Sequence, residues 1–341
     1  MTTSSSSQGV TTASGFAASG VVAGLKSSGA PDLALVRNLG PKYAAAGVFT
    51  SNRVFAAPVG WSRAAVADGR LEAVVLNSGG ANACTGEPGR QDTARTAVLV
   101  AEQLDCDTSD VAVCSTGLIG ARLPMDKIEA GVLDAVSALD PTGGAAAAGA
   151  IMTTDTVPKT SSATGQGGYV VGGMAKGAGM LAPGLATMLV VVTTDADVDA
   201  SSLDIALRAA THLTFDRADS DGCMSTNDTV LLLANGASGV APDLAEFTEV
   251  LTSVCADLAR QLIADAEGAE HEVAIAVVNA ASEGDALEVA RAVARSNLFK
   301  CAIAGNDPNW GRVVSAVGTT KAAFDPDKLD VAFNGVVVCR A

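Results

Sequence analysis

Met174-Ala-Lys-Gly-Ala-Gly-Met-Leu-Ala-Pro-Gly-Leu-Ala-Thr187-Met-Leu-Val-Val-Val-Thr-Thr-Asp-Ala196 begins as a loop and ends as a strand. Lys176, Gly177, Gly179, Pro183 and Gly184 punctuate the loop, while Met188 to Val192 form an unbroken apolar run that predicts a buried strand. Thr187 stands where the flexible part becomes rigid. If the Ala186-Thr187 bond were cut, Thr187 would gain a free α-amine with an ordinary pKa of about 7.7–8.0, next to its own hydroxyl. Such an amine activates the hydroxyl as a nucleophile, so the cut would create an active site. The same residues also read as a strand-edge threonine after a glycine-rich turn, and this stretch alone leaves both readings open.

Outward from Thr187 the pattern alternates. Downstream, periodicity predicts a strand over 187–194, a helix over 201–213, a strand over 229–234 and a helix over 243–264. A strand over 272–279, a helix over 283–296 and strands over 300–304, 313–317 and 330–338 follow. Upstream, strands are predicted over 33–36, 46–50, 73–76 and 111–114, and helices over 92–104 and 124–139. Pro124 and Asp126 suit the first turn of the second of these helices. Helices interleaved with strands argue an α/β or layered α+β fold. Residues 1–14, rich in Ser and Thr, read as a disordered segment.

The composition narrows the chemistry. With 341 residues, 48% of them hydrophobic and only 4% aromatic, the chain can bury a large core built from Ala, Val and Leu. No apolar run reaches the roughly 18 residues of a membrane span, and no secretory leader opens the chain, so a cytoplasmic protein is expected. The net charge of -15 opposes binding to nucleic acid and to anionic membranes. Seven scattered cysteines without a C-x-x-C pair read as reduced core residues. His212 and His271 are too few for a histidine triad or zinc site, and no metal is expected.

Further stretches carry candidate chemistry. Asn77-Ser-Gly-Gly-Ala-Asn-Ala-Cys-Thr-Gly86 reads either as a backbone nest for an anion or as a plain strand-to-helix loop. Thr116 and Gly117, just past the strand over 111–114, can supply a hydroxyl and an amide to an oxyanion, or form a simple turn. Ile151-Met-Thr-Thr-Asp-Thr156 gathers three hydroxyls and a carboxylate. The acidic residues in Asp219-Ser-Asp-Gly-Cys-Met-Ser-Thr-Asn-Asp228 lack calcium-loop spacing. Asn306-Asp-Pro-Asn-Trp-Gly-Arg312 reads as a structural corner or as a carboxylate-recognising arginine.

Taken together, these stretches resemble the glutamate N-acetyltransferase, or ornithine acetyltransferase, family of arginine biosynthesis. The resemblance rests on 77–86, Ser115-Thr-Gly-Leu-Ile-Gly120, 151–156, Lys176-Gly-Ala-Gly-Met180, Ala186-Thr-Met-Leu189, Ser225-Thr-Asn-Asp-Thr229, Asp265-Ala-Glu-Gly-Ala269 and Asp307-Pro-Asn-Trp-Gly-Arg312, in the family's order. It implies an ornithine-acetyltransferase-like α/β fold of mixed sheets sandwiched with helices. It implies self-cleavage between Ala186 and Thr187 into an alpha chain (15–186) and a beta chain (187–341), assembled as a heterotetramer. Thr187 would be the nucleophile and Thr116 and Gly117 the oxyanion hole, with Thr153, Lys176, Thr187 and Glu267 at substrate-binding positions. The implied reaction moves an acetyl group from N2-acetylornithine to glutamate through an acetyl-threonine enzyme, with no metal or cofactor. Acetyl-CoA is a further donor used by some members.

The chain departs from the family pattern at two places. The family continues further and supplies an asparagine and a hydroxyl residue from its C-terminus, so this chain reads as truncated. The usual Glu-Gly-Ala-Thr-Lys stands here as Glu267-Gly-Ala-Glu-His271. Competing readings are an N-terminal-nucleophile amidohydrolase or aminopeptidase of the same fold, with water as acceptor, and a non-catalytic small-molecule binding protein that stays uncut.

Overall fold

The computed structural model describes residues 8–180 and 188–340, and the chain divides into two compact units. The larger comprises residues up to 218 together with 223–267, and the smaller comprises 219–222 and 268 onward.

The larger unit is built on two sheets. In chain order its strands are β1 (Phe16–Val21), β2 (Leu33–Asn38), β3 (Ala44–Phe49), β4 (Ala73–Asn77), β5 (Val111–Ser115), β6 (Lys159–Thr164), β7 (Val170–Lys176), β8 (Leu189–Thr194) and β9 (Thr229–Ala234). Its helices are α1 (Ala57–Ala65), α2 (Gly86–Leu104), α3 (Met125–Ser137), α4 (Gly144–Ala150), α5 (Ala200–Leu213) and α6 (Leu244–Ala264). The four-stranded sheet runs β1-β2-β4-β5 and the five-stranded sheet β3-β9-β8-β7-β6. Both are mixed: β4 and β5 are parallel, as are β8 and β9, and the other pairings are antiparallel.

Side-chain alternation fixes the layering. Along β8, Leu189 and Val191 enter the core between the two sheets, while Val190 and Val192 face the core that also holds residues of α5 and α6. Along β4, Val74 and Leu76 point between the sheets, and Ala73 and Val75 pack with residues of α2 and α3. The result is four layers, helices outside and two sheets inside, as the layered α/β reading required. Strands covered on both faces carry continuous apolar runs, which is why β8 and β9 were visible in the sequence.

The smaller unit differs from expectation. It holds α7 (Glu283–Arg295), α8 (Asn297–Ala304), α9 (Trp310–Val317) and a hairpin of β10 (Val331–Phe333) and β11 (Val336–Cys339). Residues 272–279 form no strand. Their amides pair with no strand among the described residues, and Val278 is 77% exposed. The strands expected over 300–304 and 313–317 are helices instead. Ser296 caps α8 by accepting from the Phe299 amide, and Asn309 caps α9 by accepting from the Arg312 amide. Phe299 and Ala302 lie at helical spacing in the core, as do Val313, Ala316 and Val317. The expected strand over 330–338 is split by Asn334 and Gly335, both at positive φ, a turn that matches hairpin twist.

The described part of the expected disordered segment is ordered. Residues Gly9–Thr11 form a 3-10 turn, Val10 and Ala13 are buried, and Thr193 donates to the Val10 carbonyl at 2.8 Å. No disulfide joins the cysteines, but only Cys114 and Cys255 are fully buried, while Cys84, Cys223 and Cys301 are exposed.

Candidate active site

Strand ends bring the candidate residues together. The end of β7 pairs with the beginning of β8, Lys176 opposite Leu189, and β8 starts level with β9, Leu189 beside Thr229. In the other sheet β4 and β5 end together, Asn77 beside Ser115. Asn227 links the two edges: its amide donates to the Ala81 carbonyl at 2.6 Å and to the Ser115 carbonyl at 2.7 Å.

The stretch 77–86 supports the turn at Thr116 and Gly117. The Asn77 side chain accepts from Ser115 Oγ at 2.6 Å and donates to the Gly80 carbonyl, and its own carbonyl receives the Thr116 amide. The Ala81 amide donates to the Leu118 carbonyl. Gly117 has φ +129°, and a Cβ there would lie 2.8 Å from the Gly80 nitrogen. Only glycine at 117 permits this approach. Of the two readings for 77–86, the supporting loop is the one its hydrogen bonds express.

Lys176 is 1% exposed, and its Nζ donates to Thr116 Oγ1 at 3.2 Å. Burial pushes its pKa down to about 8, against the pull of Asp155. Asp155, also buried, is the hub of the neighbourhood. It accepts from the Gly177 amide at 2.7 Å, from the Thr153 amide at 2.9 Å and from Lys159 Nζ at 2.7 Å. Burial alone would raise its pKa, but the Lys176 charge and these donors hold it below the usual carboxylate range.

Thr153 and Glu267 complete the group. Glu267 is exposed. Its carboxylate accepts from Thr154 Oγ1 at 2.7 Å, and its amide donates to the Ala178 carbonyl at 2.7 Å. A Cβ at Gly179 would lie 3.1 Å from that carboxylate, so the glycine lets Glu267 rest against the turn after β7. Thr116, Gly117, Thr153, Lys176 and Glu267 therefore share one neighbourhood, through direct contacts or through Asp155 and Thr154. Ala186 and Thr187 lie outside the described residues. The chain resumes at Met188, whose amide donates to Asp228 Oδ1 at 3.0 Å.

Three residues here were not singled out from the sequence. Asp155 and Asp228 lay within stretches noted for their carboxylates, but nothing in spacing distinguished them. Lys159, with no motif around it, is 0% exposed and ties Asp155 to Asp265 through contacts of 2.7 and 2.6 Å. Asp228 is fully buried, which raises its pKa well above the usual range, and its Oδ2 has no hydrogen-bond partner among the described residues. Elsewhere, Arg312 donates to the Leu298 carbonyl at 2.7 Å, which makes 306–312 a helix-starting corner. Among the described residues no group of three or more His, Cys, Asp or Glu could hold a metal ion, and no helix is long and apolar enough to cross a membrane.

Two donors that have no acceptor among the described residues, the Thr116 hydroxyl and the Gly117 amide, lie beside a buried ammonium. Such a set favours a developing oxyanion and an anionic ligand.

The chain matches the ArgJ family over residues 17–341. The arginine biosynthesis bifunctional protein ArgJ of Streptomyces avermitilis is 66% identical over 331 residues, covering 97% of this chain and 86% of that protein. The protein of the same name from Streptomyces coelicolor is 63% identical over 331 residues, with the same coverage. The crystal structure of ornithine acetyltransferase complexed with ornithine from Mycobacterium tuberculosis aligns with a TM-score of 0.51 at 57% identity, covering 53% of this chain and 96% of that one.

Proposed function

The chain belongs to the ArgJ family, and from that premise we propose that it transfers an acetyl group from N2-acetylornithine to L-glutamate in arginine biosynthesis, with acetyl-CoA as a second donor. The observation that carries this reading is the convergence of Thr116, Gly117 and Lys176 beside the start of β8.

Thr187 is the nucleophile, released as an N-terminus when the Ala186-Thr187 bond is cut. The cut itself is an N-to-O acyl shift. Thr187 Oγ attacks the Ala186 carbonyl, the nitrogen leaves as the amine, and water hydrolyses the ester. In the transfer reaction Thr187 Oγ attacks the acetyl carbonyl, its α-amine takes the proton, and ornithine departs. Glutamate then takes the acetyl group from the threonine. Thr116 and Gly117 hold the oxyanion in both half-reactions, worth roughly 3–4 kcal/mol per good donor. Thr153, Lys176 and Glu267 bind the substrate beside Thr187. Neither metal nor cofactor takes part. The mature enzyme is a cytoplasmic heterotetramer of the two kinds of chain that the cut between Ala186 and Thr187 produces.

Intact-mass measurement of the protein beside Thr187→Ala tests the reading. Two fragments, one beginning at Thr187, with an uncut variant, support it. An uncut wild type, or release of ornithine that glutamate does not accelerate, contradicts it.

A further inference from the structure

Lys176 does more than present a charge at the substrate site. Its ammonium has three N–H donors, and the one hydrogen bond it makes among the described residues goes to the Thr116 hydroxyl oxygen, at 3.2 Å. Thr116 is 2% exposed, and its amide is already committed to the Asn77 carbonyl. Its hydroxyl proton has no described acceptor. A hydroxyl whose oxygen accepts from a cation is polarised, and its own proton becomes a stronger donor.

We propose that Lys176 acts through Thr116: it occupies the hydroxyl oxygen as acceptor, directs the hydroxyl proton toward the reacting carbonyl, and so is a positioning residue for the oxyanion as well as a contact for substrate. This rests on the acetyl-transfer reading above. Four charged groups act on Lys176 from the elements around it. They are Lys26 from the loop after β1, Asp155 and Lys159 from the 155–159 segment, and Asp228 ahead of β9. Asp155 is drawn off by Lys159 and by the amides of Thr153 and Gly177. Asp228 accepts from the Met188 amide through Oδ1. Neither carboxylate makes a hydrogen bond to Lys176, which leaves the Thr116 oxygen as the ammonium's fixed point.

A double-mutant cycle tests the coupling. Lys176→Met, Thr116→Val and the pair are compared with wild type in acetyl transfer, with rates normalised to the self-cleaved fraction by intact mass. Lys176→Arg serves as the variant that keeps a cationic donor. The expected result is a kcat loss of about 100-fold for Lys176→Met in the Thr116 background and less than about 5-fold in the Thr116→Val background. Lys176→Arg should recover a good part of kcat. In parallel, NMR titration of the Lys176 ammonium should show a pKa lowered by Thr116→Val, because the charged form loses its acceptor. Equal kcat losses in both backgrounds, or a change in KM alone, would overturn the proposal. A wild type without transferase activity would instead overturn the acetyl-transfer reading, so the two failures are distinguishable.

Discussion

Lys159 and Lys176 lie on neighbouring strands, Lys159 opposite Ala175 at the β6-β7 pairing, and neither exposes more than 1% of its surface. Lys159 has all its donors engaged: Asp155 at 2.7 Å, Asp265 at 2.6 Å and the Val157 carbonyl at 3.3 Å. Among the described residues Lys176 makes one hydrogen bond, to a neutral hydroxyl. A buried cation costs several kcal/mol of lost hydration, and only a complete set of partners offsets it. Lys159 is thus a structural charge that closes the corner between the 153–156 loop and the end of α6. Lys176 retains donor capacity, which a protein keeps at a binding or catalytic position.

The sharpest way to break this comparison is to remove each ammonium in turn, in an uncut Thr187→Ala background so that unfolding stays unimolecular. Lys159→Met leaves Asp155 and Asp265 without their shared cation and should cost about 3–5 kcal/mol in chemical denaturation. Lys176→Met should cost little at pH 7 and should change how stability depends on pH. The folded pKa of Lys176, about 8, lies below its ordinary value of 10.5. The native state therefore releases this proton first. Its contribution opposes folding below pH 8, and that opposition is relieved as pH rises from about 8 toward 10.5. The difference in stability between wild type and Lys176→Met should change by up to about 1.4 kcal/mol per pH unit in that window. A flat difference would mean that Lys176 is as fully compensated as Lys159. A third lysine sets the baseline: Lys42 meets Asp197 at 2.6 Å in the open, and Lys42→Ala should cost only about 0.2–1 kcal/mol. A cost near that of Lys159→Met would show that burial is not what separates these pairs.

The same contrast explains what could be read from the chain in advance. Strands β2, β4, β5, β8 and β9 were legible because burial on both faces writes itself as runs of Val, Leu and Ala. β6 and β7 were not: Lys-Thr-Ser-Ser-Ala-Thr and Val-Val-Gly-Gly-Met-Ala-Lys contain buried lysines and glycines that no apolar pattern announces. Gly172 in β7 shows why, since a Cβ there would come 2.3 Å from the Gly9 carbonyl oxygen. Helix α2 starts at Gly86, ahead of the expected Asp92, because Pro88 and Gly89 disguise its first turn. Gly89 leaves room for Asn82 and Thr85 to pack against it. Thr116, Gly117, Thr153, Lys176 and Glu267 were named through motifs shared with the family, and the structure brings them into one neighbourhood. Asp155, Lys159 and Asp228 were hidden, because a buried charge is defined by partners distant in sequence. The errors at 272–279, 300–304 and 313–317 came from short apolar runs, which serve strands and helices alike. The capping residues Ser296 and Asn309 were the signal that separates them.

β8 is the middle strand of its sheet, held by β7 on one side and β9 on the other. A backbone cut just ahead of it leaves every one of those ladder bonds in place, so the two resulting polypeptides share a single sheet and a single core. Native sizing would register no change, whereas denaturation would become a dissociation. The midpoint of unfolding of the cut protein should then depend on its concentration, which that of the uncut precursor does not. Refolding would require two separate chains to meet and rebuild the centre of a sheet that formed while they were one. Cleavage would in this way make the mature protein's persistence a matter of rate rather than of equilibrium.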